Sequence, residues 1–374
     1  MTKFSYIDSE LEGRRSRNLL RRLRAIKPVS GVEVEVNGHR MVNFCSNDYL
    51  GIATHQLLNG DAVQMSSGST GSRLLAGNYP LINETEQKIA TFHQAEAALM
   101  FNSGYDANVG LLSCVPQKGD TILYDYLSHA SIRDGIRLSF ARSFSFAHND
   151  LNDLESKLKQ ATGTIFIVTE SVFSMDGDTC PLDALVNLAN HYHAHLIIDE
   201  AHATGVIGNC GEGLVQHLGY SSQIFARIHT FGKACGCHGA VVLGSEQLRT
   251  YLINFARSLM YSTSLPEHAV AMINRSYDLF PTMKEERQHL EHLIQVFQSA
   301  ILRYEKLISQ TPIQAVVVPG NTAVKALAKE LQSNQFDIRP ILYPTVPEGK
   351  ERLRIVLHSF NTIDQVQALI KALA

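Results

Sequence analysis

The chain has 374 residues, 45% of them apolar and 18% charged, with a net charge of −3 at neutral pH. That length suits a large core with one or two smaller lobes, and the near-zero charge excludes a surface field built for nucleic acid or an anionic membrane. No apolar run reaches the ~18–20 residues of a membrane span, and no secretory signal core precedes Asp8. Cys45, Cys114, Cys180, Cys210, Cys235 and Cys237 are scattered without paired spacing, which reads as reduced thiols in a cytoplasmic protein. In Cys235-Gly236-Cys237-His238 a single residue separates the thiols, and no second pair follows at finger-like spacing, so no metal site is expected.

Leucines and arginines at helical spacing predict an amphipathic helix over 11–25, its basic cluster lying on a solvated face. Residues 32–36 alternate strictly, Asn37-Gly38 is a hairpin turn, and 40–44 form the return strand. From residue 84 onward apolar strands alternate with helices. Strands are predicted at 97–101, 121–124, 142–146, 164–169, 195–199, 224–229 and 240–243, with helices such as 83–93, 151–160 and 182–192 between them. The pattern predicts an α/β fold with a large, mainly parallel seven-stranded sheet and helices on both faces. After Pro266 the texture changes to long helical runs, a strand at 313–318, a helix at 323–334 and a strand at 353–357. The N- and C-terminal segments together predict a smaller α+β lobe. The expected divisions are an N-terminal helix and hairpin (1–45), a large domain (46–264) and a C-terminal domain (265–374).

The chemistry is carried by strand ends. Leu196-Ile197-Ile198 ends in Asp199, and Ile224–Ile228 leads into Thr230-Phe231-Gly232-Lys233. A strand-end acid followed by a strand-end lysine among small residues suits pyridoxal phosphate. Its aldehyde needs a lysine, and its ring nitrogen needs a carboxylate to stay protonated. Gly104 and Tyr105 follow another strand and open a helix, where backbone amides can approach a phosphate. His129 opens the helix after 121–125, Ser174 follows the strand at 164–169, and His202 and Thr230 lie at the same rim. Taken singly, 102–105 is an ordinary strand-to-helix turn, His129 a capping or core histidine and Asp199 an N-cap. Together they stand in order at the carboxyl ends of strands in one sheet, where ligands of open α/β sheets gather.

The runs SNDYLG (46–51), GSTGSRLLAGN (68–78), NSGYDAN (102–108), LSHAS (127–131), TESVFSMDGD (169–178), IIDEAHATG (197–205), TFGKACG (230–236), YSTSLP (261–266) and PTVPEGKERLRI (344–355) resemble the α-oxoamine synthases, a family of fold-type I pyridoxal-phosphate enzymes. The resemblance covers nearly the whole chain in order. It implies that Lys233 binds the cofactor covalently and then acts as the base at the substrate Cα. Asp199 would pair with the ring nitrogen, His129 stack on the ring and His202 bond the phenolic oxygen. Gly104, Tyr105, Ser174 and Thr230 would line the cofactor and its phosphate. Arg354 would hold the amino-acid carboxylate, Arg21 and Thr345 would touch the acyl substrate, and Asn47 would lie near the entrance.

The implied reaction is a decarboxylating condensation of L-alanine with a pimeloyl thioester, on coenzyme A or acyl carrier protein, in biotin biosynthesis. Sister enzymes that use glycine or other thioesters share the chemistry and differ in pocket shape. An inactive relative that keeps only the fold is a third reading. The runs 146–150 and 338–347 point to the alanine branch, and retention of Lys233, Asp199, His129, His202 and Arg354 points to an active enzyme. A homodimer is expected, with 68–77 and 261–264 reaching a partner's pocket. The stretch from Gly51 to Gly68 is shorter than in the family, and Cys235 and Cys237 beside the lysine are unusual there.

Overall fold

The computed structural model describes residues 5–58 and 65–374; part of the short Gly51–Gly68 stretch, 59–64, lies outside the described residues. The first helix, Ser5–Ser16, buries no residue. Asn18 adopts φ 58°, its N–H donating to the Arg15 carbonyl at 2.9 Å and that of Leu19 to the Arg14 carbonyl at 2.7 Å. This left-handed cap closes the helix. The helix predicted over 11–25 therefore ends at Ser16, and residues 19–25 have no regular structure. A helix with no buried face has only its local propensity and caps to extend it.

The predicted hairpin forms between Glu33–Val36 and His39–Asn43, with Asn37 and Gly38 at φ 53° and 80°. Both positive values suit a tight hairpin turn whose twist matches the strands. Ile26–Ser30 adds an antiparallel strand outside it, and Phe336–Asp337 pairs with His39–Asn43 in parallel, tying the N-terminal segment to the C-terminal one.

The large sheet has seven strands: β1 (Ala97–Phe101), β2 (Thr121–Asp125), β3 (Arg142–Phe146), β4 (Ile165–Glu170), β5 (His195–Asp199), β6 (Ala226–Thr230) and β7 (Ala240–Gly244). Their order is β1-β7-β6-β5-β4-β2-β3. β7 runs antiparallel to both neighbours, and the pairs from β6 to β3 are parallel. Strands buried on both faces need continuous apolar runs, as in the fully buried Ala97–Phe101, whereas the edge strand β3, RSFSF, is largely exposed. The parallel register brings polar ends together on one edge: Glu170 lies opposite Asp199, and Asp199 opposite Ile228.

A second sheet carries the antiparallel strands Glu305–Lys306, Ile313–Val317, Arg352–Val356 and Arg339–Ile341. One apolar cluster runs from Phe44 and Tyr49 through Phe231 to Phe280, Ile313 and Ile355, so the two sheets share a core. The loop after β4 docks on the second sheet at Gly177. The Ser309 and Thr311 hydroxyls both donate to the Gly177 carbonyl at 2.8 Å. Gly177 has φ +76°, and a Cβ there would collide with the Ile313 carbonyl.

Glu86, in the helix Pro80–Phe92, clamps three elements. It accepts from Arg73 Nη1 at 2.7 Å and Nη2 at 3.2 Å, and from the Met100 N–H at 2.8 Å. Glu86→Ala would leave the Arg73 guanidinium buried without its counter-charge, an expected loss of about 3–5 kcal/mol. Urea unfolding of the purified variant checks this; an unchanged midpoint contradicts it.

Candidate active site

Asp199 sits at the carboxyl end of β5 and is almost wholly buried. A carboxylate in that position needs donors. Asn108 Nδ2 donates to its Oδ2 at 2.8 Å and the Ala201 N–H to its Oδ1 at 2.9 Å. Asn108 lies one turn into the helix Gly104–Cys114, which follows β1, so the helix that opens at Gly104 also holds the acid. Asn108 donates as well to Ser131 Oγ at 3.1 Å, and Ser131 Oγ is 2.8 Å from His129 Nδ1.

His129 caps the helix Ala130–Leu138. Its Nδ1 accepts from the Ser131 N–H at 3.2 Å and its own N–H donates to Glu170 Oε1 at 2.7 Å. Backbone and side chain are thus both tied, and the ring has one orientation. Burial draws the imidazole below its usual range, with Asp199 opposing. Burial also raises the Glu170 carboxyl to about 8, reinforced by Asp199 beside it.

His202 follows Asp199 by three residues and is buried. Its Nδ1 lies 2.6 Å from the Tyr49 hydroxyl. Burial, then the charges of Lys233 and Arg354, hold it well below the usual histidine range, so the ring is neutral. Lys233 lies in the loop after β6; its carbonyl accepts from the Gly236 N–H at 2.9 Å, and no hydrogen bond or ion pair to its amine occurs among the described residues. Burial lowers its amine to about 8, and Asp199 and Glu170 pull the other way.

Lys233, Asp199, His129, His202, Gly104, Tyr105 and Thr230 all border one cavity of about 240 Å³. Its floor accommodates an anion. The Thr230 hydroxyl is buried with no hydrogen-bond partner, and Ser103 caps the neighbouring helix through the Asp106 N–H, leaving the first-turn N–H groups of Gly104 and Tyr105 open. Gly104 is required there because a Cβ would lie 2.5 Å from Thr230 Cγ2. An unpaired hydroxyl, open amides, a lysine and a strand-end carboxylate are the donor set that pyridoxal phosphate needs.

His129 is also a wall of a larger cavity of about 630 Å³, lined by Phe173, Met175, Val317 and Val346 among others. Ser174 borders this larger cavity and not the first, while His129 borders both. The loop of Ser174 is held at Gly177 by Ser309 and Thr311. Arg354 and Asn47 border neither cavity; Arg354 donates from Nε to the Ser174 carbonyl at 2.6 Å and from Nη2 to Asn47 Oδ1 at 2.9 Å. Arg21 Nη2 donates to Thr345 Oγ1 at 3.2 Å, and Thr345 borders the larger cavity.

Glu170, Asn108, Ser131 and Tyr49 belong to this constellation although the strand-end reading did not select them. Glu170 ends β4 in register with Asp199, a signal the strand pattern carried. Asn108 repeats the face of Gly104 one helical turn on. Ser131 and Tyr49 act through tertiary contacts that leave no periodic trace.

The family model for class I and II aminotransferases matches residues 39–373. A putative 8-amino-7-oxononanoate synthase of Desulfosudis oleivorans is 40% identical over 100% of this chain and 98% of its own length. The 8-amino-7-oxononanoate synthase of Marinobacter nauticus is 38% identical over 98% and 94%. Among solved structures, a serine palmitoyltransferase from S. paucimobilis carrying a PLP–myriocin aldimine superposes with TM-score 0.92 at 25% identity, covering 100% of this chain and 96% of that one. An 8-amino-7-oxononanoate synthase from Francisella tularensis gives TM-score 0.73 at 29% identity, covering 89% and 96%. Identity of this level along the full chain, on a shared fold, places the protein in the class I and II aminotransferase family, among the 8-amino-7-oxononanoate synthases.

Proposed function

We propose that this protein is a pyridoxal-phosphate-dependent acyltransferase that condenses L-alanine with a pimeloyl thioester, releasing carbon dioxide, 8-amino-7-oxononanoate and the free thiol carrier. The observation that carries the reading is the convergence of Lys233, Asp199, His129 and His202 on one cavity, adjoined by a larger cavity with apolar walls. When bound, pyridoxal phosphate supplies an aldehyde that takes an amine covalently and a ring that withdraws electrons from the adjacent carbon.

The chain's own groups divide the remaining work. Thr230 Oγ1 and the first-turn amides at Gly104 and Tyr105 would bind the phosphate. Asp199, fixed by Asn108 and the Ala201 amide, would hold a negative charge toward the ring nitrogen. His129, tied at backbone and ring, would lie against the ring, and neutral His202 would hold the phenolic oxygen. Lys233 Nζ would hold the aldehyde carbon and serve as the base at the alanine Cα. Arg354 and Asn47 orient the alanine carboxylate. Arg21 and Thr345 meet the acyl chain at the rim of the larger cavity, and Ser174 lines that cavity. Coenzyme A or acyl carrier protein delivers the thioester.

The reading extends to assembly and organisation. Segments 68–77 and 261–264 pack on one another, with Ser69 Oγ donating to the Ser264 carbonyl at 2.7 Å and the Ser264 N–H to the Gly71 carbonyl at 2.9 Å. In a homodimer this pair would face the partner's cavity. In this reading the N-terminal helix and hairpin (1–45) and the C-terminal domain (265–374) together make the smaller lobe beside the large domain, 46–264.

Product identification tests the assignment. Holoenzyme incubated with L-alanine and pimeloyl thioester should yield 8-amino-7-oxononanoate, whereas product only with glycine or another thioester overturns it. Lys233→Ala should abolish turnover and leave the unfolding midpoint near that of the parent protein; measurable condensation by the variant contradicts the role given to Nζ. Because burial lowers the Lys233 amine to about 8, the neutral nucleophile predominates above that value. Covalent capture of pyridoxal phosphate by apoenzyme, followed by absorbance, should therefore accelerate as pH rises to about 8 and then level off. A rise that continues to the ordinary lysine range of ~10.4 contradicts the desolvated site.

A further inference from the structure

We propose that a third cavity, between the N-terminal hairpin and the helix Asn321–Ser333, binds a phosphate-bearing anion. It has a volume of about 500 Å³ and is bordered by Arg24, His39, Arg40, Lys329 and Arg339, with no aspartate or glutamate among its lining residues. The size is that of a small-molecule site. Among the described residues no ion pair neutralises Arg24, Arg40 or Lys329. Glu35 lies opposite Arg40 across the hairpin without forming one. Asp337 pairs with Arg339 Nη2 at 2.6 Å, so the charges left without a carboxylate partner at this cavity are those of Arg24, Arg40 and Lys329.

Like charges around one concavity repel, and a ligand with several anionic oxygens relieves that repulsion. Arg24 and Arg40 favour phosphate over a single carboxylate, because the planar fork matches two phosphate oxygens at once. Asn37, Ser333 and Gln335 at the border add neutral polar groups.

The cavity also adjoins the acyl entrance. Arg24 follows Arg21 by three residues, a reach of at most ~10 Å, and Arg21 bonds Thr345 at the rim of the larger cavity. Lys325, one helical turn before Lys329, donates to the Asn18 carbonyl. An anion held between Arg24 and Lys329 would fasten segment 18–24 beside that entrance. Two sources supply such phosphates: the nucleotide end of a thioester carrier, and free diphosphate compounds.

Calorimetric titration of the holoenzyme with inorganic pyrophosphate, at constant ionic strength, tests the site without any turnover, so its outcome is separate from the reaction proposed above. Saturable binding is expected, weakened roughly tenfold or more in an Arg40→Gln/Lys329→Gln variant whose cofactor absorbance matches that of the parent protein. No saturable binding, or equal affinity in the two proteins, overturns the proposal. Steady-state kinetics then separate the sources. Pyrophosphate that raises KM for a coenzyme A thioester but not for an N-acetylcysteamine thioester identifies the carrier's phosphates, and no effect on either identifies a free anion.

Discussion

A buried carboxylate at the end of a parallel strand is the constraint on which this molecule turns. Asp199 cannot lie among apolar strands without donors, and supplying them fixes its surroundings. Asn108 must project from the first turns of the helix after β1, and the backbone must turn at Ala201 to present its N–H. Asn108 then orders Ser131, which orders His129. Burial dominates the shifts of Lys233 and Glu170, and the same negative charge opposes the first and reinforces the second. One residue thereby orders a chain of side chains that runs across the cavity.

The second constraint is the seam between the sheets. The loop after β4 leaves the acid edge and is captured by Ser309 and Thr311 on the other sheet, while Arg354 returns from that sheet to meet Ser174 and Asn47. The cavity over the strand ends is lined by the large domain alone, the larger cavity beside it by both lobes, and His129 is common to the two. In the proposed reaction the larger cavity, with apolar residues such as Phe173, Val317 and Val346 beside the charged Arg133, Asp176, Lys350 and Arg352, receives the acyl chain.

Much of this was legible in the sequence because buried parallel strands demand unbroken apolar runs, and the polar residues that end them stand out. Asp199, Lys233 and Thr230 were visible for that reason, as was the seven-stranded sheet. The N-terminal helix was misjudged because a left-handed asparagine cap at Asn18 ends it where the leucine–arginine pattern runs on. Glu170 carried the same strand-end signal as Asp199 but lay in a run read for its serine. Ser174 lies in a loop whose path depends on Gly177 and two hydroxyls more than a hundred residues away. Tertiary hydrogen bonds of that kind have no local period to read.

The central claim is that the fixed charge of Asp199 makes the alanine Cα acidic enough to ionise in this site. Exchange of the L-alanine Cα proton with solvent deuterium, in holoenzyme without thioester, measures that step alone. In Asp199→Asn, which keeps the size of the side chain and removes its charge, the exchange rate should fall ~10²–10³-fold while pyridoxal phosphate still binds. Exchange at the rate of the parent protein would contradict the account.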